Sequence, residues 1–210
     1  MLNILMNPVE EFLKAKQQKN LWHSLVVLLL ECIIFTLGFA IWLYGISMTS
    51  SNIDWVSYAV IVLSVFVAFL VFNLFVGYLY RLIFRILTDK GSFFEAITVL
   101  AYSGLISSIG FLVYAFATLI TAFLKGNAIL GILTVVLLFA GFIVLFVFSY
   151  KAIAVMFRGF KELFETDSAT VLAAYALFWL PILLAMLYII FIVGVISMFG
   201  PRFWALGVMP

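Results

Sequence analysis

Apolar residues in this chain form five long stretches that are separated by short polar segments. The stretches cover approximately residues 21–45, 55–79, 93–123, 128–150 and 169–198. About 20 apolar residues are enough for a helix to cross the hydrocarbon core of a bilayer. The stretches are apolar on all sides, whereas barrel strands alternate apolar and polar residues over about ten positions. We therefore predict an all-α membrane bundle with five transmembrane helices.

Residues 1–20 precede the first apolar stretch and read as an amphipathic N-terminal segment. Within it, Asn7 suits the N-cap of a short helix, Pro8 the first helical position, and Glu10 the acidic position of a capping box. Residues 21–210 then form a single five-helix transmembrane domain.

Polar residues also mark where the long helices begin. Asp54 can cap the second span, and Ser92 with Glu95 has the spacing of a capping box for the third. Asp167-Ser168 interrupts the chain and caps the fifth span. The predicted end of that span is Gly200-Pro201.

Residues 156–165 have apolar side chains on one helical face and charged side chains on the other. Two interpretations stay open at this point. The segment is either an interfacial helix on the membrane surface or a continuation of the fourth span.

Basic residues are distributed unevenly among the connecting segments. Nine of the eleven fall in three segments, namely Lys14, Lys16 and Lys19, then Arg81, Arg85 and Lys90, then Lys151, Arg158 and Lys161. Only Lys125 and Arg202 lie in the others. Because basic residues near spans stay on the cytoplasmic side, we predict a cytoplasmic N-terminus and a C-terminus outside.

The amino-acid composition indicates that most of the chain is surrounded by lipid rather than by water. The sequence is 68% hydrophobic and 10% charged, against about half and a quarter in soluble domains. The net charge of +2 is too small for a nucleic-acid patch. The chain has no phosphate loop, dinucleotide motif or nucleophile elbow, and its single cysteine and single histidine, Cys32 and His23, lie at different depths. We expect no enzymatic activity, no cofactor and no metal site.

Glu31 is the one acidic residue deep inside a span, about 13 Å from the level of Trp22. A lone carboxylate there costs at least about 2.5 kcal/mol, so it must be protonated, paired or exposed to water. Other spans place polar residues at a similar depth, and the candidate intramembrane cluster comprises Glu31, Asn73, Tyr102, Ser103 and Tyr175. The cluster either binds a lipid head group, a proton or a small ligand, or it supplies interhelical hydrogen bonds.

A second candidate feature is an inner basic rim that would contact lipid head groups. Its members are Arg81, Arg85, Lys151, Arg158 and Lys161. Attraction to anionic lipid and orientation of the chain explain such residues without a specific ligand.

Two sequence motifs carry a family resemblance. They are Asn7-Pro8 to Phe12, and Gly91-Ser92-Phe93-Phe94-Glu95 leading into Ala101-Tyr102-Ser103. With the five-span layout, they make residues 7–198 resemble the Yip family, whose members are also called Ypt/Rab-interacting proteins. Members often have a proline soon after this Tyr-Ser pair, where this chain has Gly104-Leu105-Ile106-Ser107.

The resemblance implies five helices and a cytoplasmic N-terminus. For eukaryotic relatives it implies vesicle traffic with prenylated small GTPases and membrane shaping. The short N-terminal segment here resembles prokaryotic members, for which the plasma membrane is the expected location, and a GTPase partner is not expected.

Three functions are compared on this basis. The first is a non-enzymatic membrane protein that organises or shapes lipid and docks partners, with lipids, a second copy or another membrane protein as the partners expected. The second is a small transporter or permease that uses the cluster around Glu31. The third is an accessory subunit of a larger complex. A wet polar pocket reaching Glu31 would favour the transporter, and a tightly packed core would favour the scaffold.

Overall fold

The computed structural model describes residues 8–18, 21–47, 54–124 and 128–205, and these residues are almost entirely helical. They form α1 (Pro8–Gln18), α2 (Leu21–Ser47), α3 (Trp55–Thr88), α4 (Phe93–Phe123), α5 (Ala128–Leu163) and α6 (Ser168–Ala205). The last five are long and apolar enough to cross a membrane. The all-α fold with five membrane-spanning helices is confirmed.

Three of the predicted helix caps are present. The carboxylate of Asp54 accepts hydrogen bonds from the backbone N–H groups of Val56 and Ser57, at 3.1 and 3.4 Å. The Ser92 hydroxyl accepts from the Glu95 N–H at 3.2 Å, and the Glu95 carboxylate accepts from the Ser92 N–H at 2.9 Å. Asp167 caps α6 in the same manner through the Thr170 N–H, at 3.0 Å. The predicted Asn7 cap lies outside the described residues.

Helices α3, α5 and α6 extend well beyond their apolar stretches, and α3 continues to Thr88. Helix α5 runs without a break to Leu163, so the amphipathic segment 156–165 largely continues the fourth span. Helix α6 passes through Pro181 and continues beyond Gly200-Pro201 to Ala205, so its predicted end was wrong. In an apolar environment the helix satisfies most of its own backbone groups, which outweighs the single donor that each proline removes.

Helix α4 lies at the centre of the bundle. It packs along α2 on one side and along α5 on the other, and α3 contacts both α2 and α4. Helix α6 packs mainly against α3, and α1 lies against α5 and α4. Helix α1 therefore lies at the end of the bundle where α5 ends and α4 begins, which is also the end where α3 ends and α6 begins. We call this part of the molecule the α1 end.

Small residues bring α4 close to its two main neighbours. A Cβ atom on Gly110 of α4 would lie 2.5 Å from the Cβ of Phe148 on α5. On the other side, a Cβ on Gly38 of α2 would lie 3.2 Å from the Cα of Leu112. Such close approach of backbones is how membrane helices gain packing energy without a hydrophobic driving force.

Most of the buried apolar core lies at the α1 end. Its large, fully buried side chains include Phe12, Leu28, Tyr80, Phe84, Ile97, Tyr102, Ile106, Phe160, Leu163 and Phe164. In the opposite half, α6 has no buried residue between Trp179 and Val193. The structure is thus densely packed at one end, and at least α6 separates from the bundle toward the other.

Candidate functional site

Glu31 lies in the contact between α2 and α4. Its side chain is only 1% exposed. The carboxyl group rests directly on Gly104, where a Cβ would overlap both of its oxygen atoms and its carboxyl carbon. The second oxygen, Oε2, has no hydrogen-bond partner among the described residues. A glycine at position 104 is therefore what makes room for the acid between the two helices.

Two other members of the predicted cluster direct their polar groups to their own helices. The Asn73 amide donates to the carbonyl oxygen of Phe69 at 3.0 Å. The Ser103 hydroxyl is shared between the carbonyl oxygens of Val99 and Leu100, at 2.9 and 3.1 Å. Both side chains are buried, and both satisfy their donors locally, as hydroxyl and amide groups in apolar helices commonly do.

The two tyrosines of the predicted cluster lie in different surroundings. Tyr102 faces α1 and the start of α2, with its ring centroid 5.4 Å from that of Phe12 and 6.3 Å from that of His23. Tyr175 packs between α3 and α5, with its ring 6.1 Å from Tyr80 and 6.3 Å from Phe160. Neither hydroxyl has a partner among the described residues. The structure thus brings Ser103 next to the Glu31 contact and places Tyr102 and Tyr175 on separate surfaces.

Tyr175 belongs to an aromatic cluster that the sequence analysis did not identify. The cluster joins α3, α5 and α6 and comprises Tyr80, Phe84, Phe160, Phe164, Tyr175 and Phe178. Its ring centroids are 4.3–6.3 Å apart, the range in which aromatic pairs attract beyond their area burial. The available signal was the spacing of four between aromatic residues at 80 and 84 and at 160 and 164.

A single aromatic side chain anchors α1 to the bundle. Phe12 is fully buried, and its ring lies against Gly159 of α5, where a Cβ would be 2.7 Å from the Phe12 Cζ atom. Val99 of α4 borders the same position at 3.0 Å, and Tyr102 completes the socket. Ala15, one turn later, is also buried. The apolar face of α1 therefore packs against protein, and Leu13 on its other side is 44% exposed.

Charged residues join α1 to two neighbouring turns at the same end. Glu165, in the α5–α6 turn, forms ion pairs with Lys16 of α1 and with Lys90 of the α3–α4 turn, the latter at 3.7 Å. The hydrogen bond from Lys16, with the charges of Lys16 and Lys90, lowers the pKa of the Glu165 carboxyl. These residues border a cavity of about 350 Å³, which Ser92 and Glu95 also line.

The turn beside this cavity explains part of the sequence motif that begins at Gly91. Gly91 has a φ of 124°, which non-glycine residues rarely adopt. A Cβ at this position would lie 2.8 Å from the Phe164 ring. Ser92 and Glu95 then close the capping box, so the motif fixes the start of α4 against the end of α5.

The residues of the predicted basic rim lie on α3 and α5, in the halves of these helices nearer the α1 end. Arg81 is half-buried on α3, and Arg85, Lys151, Arg158 and Lys161 are exposed on α3 and α5. Contact of these side chains with lipid head groups stays a prediction. Within the described residues, no three His, Cys, Asp or Glu side chains come together in a way that could hold a metal ion.

Comparisons with known proteins agree with the motifs and the five-helix layout. A family model described as the Yip1 domain matches residues 2–190. No curated protein and no solved structure shows significant similarity to the chain. Because the match covers nine-tenths of the sequence and includes both motifs, from Pro8 through Ser103, this chain belongs to the Yip1 domain family.

Proposed function

We propose that this Yip1-family membrane protein is a non-enzymatic scaffold that shapes the membrane leaflet at its α1 end. The observation that carries the proposal is the unequal packing of the two halves of the bundle. At the α1 end, six helices share one core. In the opposite half, α6 is exposed on every side from Trp179 to Val193, and lipid fills the space around it. The protein therefore displaces different amounts of lipid from the two leaflets.

We further propose that the α1 end faces the cytoplasm. The structure brings three basic segments of the sequence to this end, which are represented by Lys16, Lys90 and Lys161. Clustered basic residues are retained on the cytoplasmic side during insertion, which supports this orientation. In a prokaryotic cell the corresponding membrane is the plasma membrane, and the adjacent leaflet carries the anionic lipids that the basic rim attracts.

The arrangement around Glu31 supports a packed scaffold over a transporter. The carboxyl group is covered by α4 at Gly104, and its neighbour Ser103 bonds to its own helix. Among the described residues, Glu165 borders one cavity and residues 63–75 of α3 line another, a groove of about 720 Å³, and Glu31 lines neither. A substrate path that uses this acid has no support in the packing of the described residues.

We expect lipids to be the main partners of such a scaffold. A second copy of the chain, or another membrane protein, would find the broadest apolar contact area on the exposed surfaces of α3 and α6. The cytoplasmic ends would remain available for docking, because their charged side chains surround the core at Phe84 and Phe160 rather than enter it.

Reconstitution into vesicles tests the proposal. The full chain is incorporated at increasing protein-to-lipid ratios into large vesicles that contain anionic lipid, and vesicle diameter is measured by cryo-electron microscopy. We expect smaller or tubular vesicles for the wild type and a weaker effect for Phe12→Ala, which releases α1, while Leu13→Ala serves as the matched control. Unchanged diameters at high protein density, together with solute uptake that requires Glu31, would replace the scaffold with the transporter.

A further inference from the structure

The cavity at the α1 end is formed where three separate segments meet. Lys16 comes from α1, Lys90 and Ser92 come from the α3–α4 turn, and Glu165 comes from the α5–α6 turn. Glu95 of α4 is the remaining charged residue in its wall. Its volume of about 350 Å³ leaves room for a small polar group beyond the side chains themselves.

Hydrogen-bond donors of two lysines are concentrated in this cavity. The capping box uses part of the remaining polar groups, since one oxygen of the Glu95 carboxylate accepts from the Ser92 N–H and the Ser92 hydroxyl oxygen accepts from the Glu95 N–H. Among the described residues, Glu165 is the carboxylate that pairs with both lysines. Two ammonium groups bring six N–H donors between them, and the Ser92 hydroxyl adds another. The cavity is therefore suited to a ligand that is rich in acceptor oxygens.

Glu165 occupies the position where such a ligand would bind, but it is weakly held. Its side chain is 61% exposed, and ion pairs that are open to water contribute little. Its backbone has a φ of 49°, a left-handed conformation that disfavours residues other than glycine. Rotation of this side chain into water would leave Lys16 and Lys90 facing a common space with no carboxylate between them.

We infer that this cavity binds a phosphate group through Lys16 and Lys90, and that the phosphate displaces the Glu165 carboxylate. A phosphate presents several strong acceptor oxygens, so it can contact both lysines and the Ser92 hydroxyl together. The same chemistry is offered by a phospholipid head group in the adjacent leaflet and by a soluble phosphorylated compound. The inference is independent of membrane shaping, because a phosphate site requires only the geometry of this end.

Two binding arms distinguish the sources of phosphate. In the first, the full chain in nanodiscs of uncharged phosphatidylcholine is titrated with inorganic phosphate and with glycerol 3-phosphate, and binding is followed by calorimetry. In the second, nanodiscs contain phosphatidic acid, and the lipid that remains bound is measured by native mass spectrometry. The variants are Lys90→Gln and Glu165→Gln, and the control is Lys14→Gln, an exposed lysine of α1 that does not line the cavity and is not part of the basic rim.

Opposite effects are expected from the two cavity variants. Lys90→Gln should weaken phosphate binding about fivefold, as the loss of one basic contact predicts, whereas Glu165→Gln should strengthen it because the competing carboxylate is gone. Lys14→Gln should leave phosphate binding unchanged. A response in the first arm assigns the site to soluble phosphates, and a response in the second arm alone assigns it to a lipid head group. Absence of binding in both arms, or a Glu165→Gln variant that binds no more tightly than the wild type, would overturn the inference.

If a variant disturbs the turns, lysine acetylation of the wild-type protein tests the same site without a substitution. Phosphate at saturating concentration, or phosphatidic acid in the nanodisc, should slow acetylation of Lys16 and Lys90 but not that of Lys14. Equal acetylation rates with and without the phosphate source would contradict the proposed site, whatever the variants show.

Discussion

The carboxyl group of Glu31 on α2 lies against the Cα atom of Gly104 on α4, in the space that a Cβ atom would fill. The acid is 1% exposed, and a side chain in this environment has little room to move. Replacing Gly104 with Ala should therefore lower the stability of the bundle by about 1–3 kcal/mol, as overpacking does. Thermal unfolding in mild detergent measures the change.

Matched variants separate this contact from the general effect of a glycine in a helix. Gly131 of α5 has no atom within 4 Å of a built Cβ, so Gly131→Ala should be neutral or slightly stabilising. In the double variant Glu31→Ala, Gly104→Ala, the new methyl group meets no carboxyl, and the cost of the second substitution should largely disappear. Strict additivity of the two substitutions would show that the residues are not in contact.

Removal of the Phe12 ring should release α1 while leaving the transmembrane helices folded. Phe12→Ala deletes a fully buried aromatic side chain, a change that costs about 3–5 kcal/mol in packed cores. Faster hydrogen exchange in residues 8–18 measures the release, and Leu13→Ala is the control because Leu13 is exposed. If both variants exchange at the wild-type rate, α1 is held by something other than this socket.

The turn that begins α4 should be sensitive to a single methyl group. Gly91→Ala places a side chain at a φ of 124° and 2.8 Å from the Phe164 ring, so we expect a loss of at least about 1–2 kcal/mol. The loss should appear as a lower unfolding temperature and as faster exchange at the α3–α4 turn. Wild-type stability in this variant would contradict both the positive φ of Gly91 and its close approach to the Phe164 ring.

Acidification should weaken the attachment between α1 and the α5–α6 turn. Lys16 and Lys90 lower the pKa of Glu165 from its usual value of 4.5. A carboxyl group whose pKa is lower in the folded state stabilises that state at pH values above 4.5, and the contribution is lost as pH falls through the lowered value. Hydrogen exchange of α1, corrected for its intrinsic pH dependence, should therefore rise below about pH 4.5.

The variant Glu165→Gln supplies the comparison for this pH effect. This variant should remove the rise in α1 hydrogen exchange at low pH. The attachment of α1 to the α5–α6 turn should be weakened at every pH. Glu162→Gln, three residues earlier on α5, should retain the wild-type profile. A profile that is identical in the wild type and in Glu165→Gln would assign the pH effect to another group.

Several elements of this fold are predictable because they depend on local sequence. Five apolar stretches define the five long helices, and Asp54, Ser92 and Asp167 mark helix starts since their side chains satisfy backbone donors within three residues. The position of the end of α6 was not predictable in the same way. Gly200-Pro201 is a stop signal in water, but hydrocarbon penalises unpaired backbone groups on either side of it.

The candidate site depended on information that spacing along the chain does not contain. The depth of Glu31 can be counted from Trp22, whereas its contact with Gly104 depends on how α2 and α4 are rotated about their axes. The same applies to Phe12, whose socket is made by Val99, Tyr102 and Gly159, between 87 and 147 positions further along the chain. In the sequence, Glu165 is one of several charges on an amphipathic segment. Only the meeting of α1 with the α3–α4 and α5–α6 turns places it between two lysines.

Oxygen accessibility along α6 tests the unequal packing of the bundle most directly. Single spin labels are placed at successive positions of 168–193 in a background in which Cys32 is replaced by Ala, and collision with oxygen is measured in lipid vesicles. Over 168–178 the values should follow the helical period, with minima at Val171, Ala174 and Phe178, which are buried. Over 179–193 they should be uniformly high with no period. A helical period that continues to Val193 would show that α6 is covered along its whole length, and it would contradict the asymmetric scaffold.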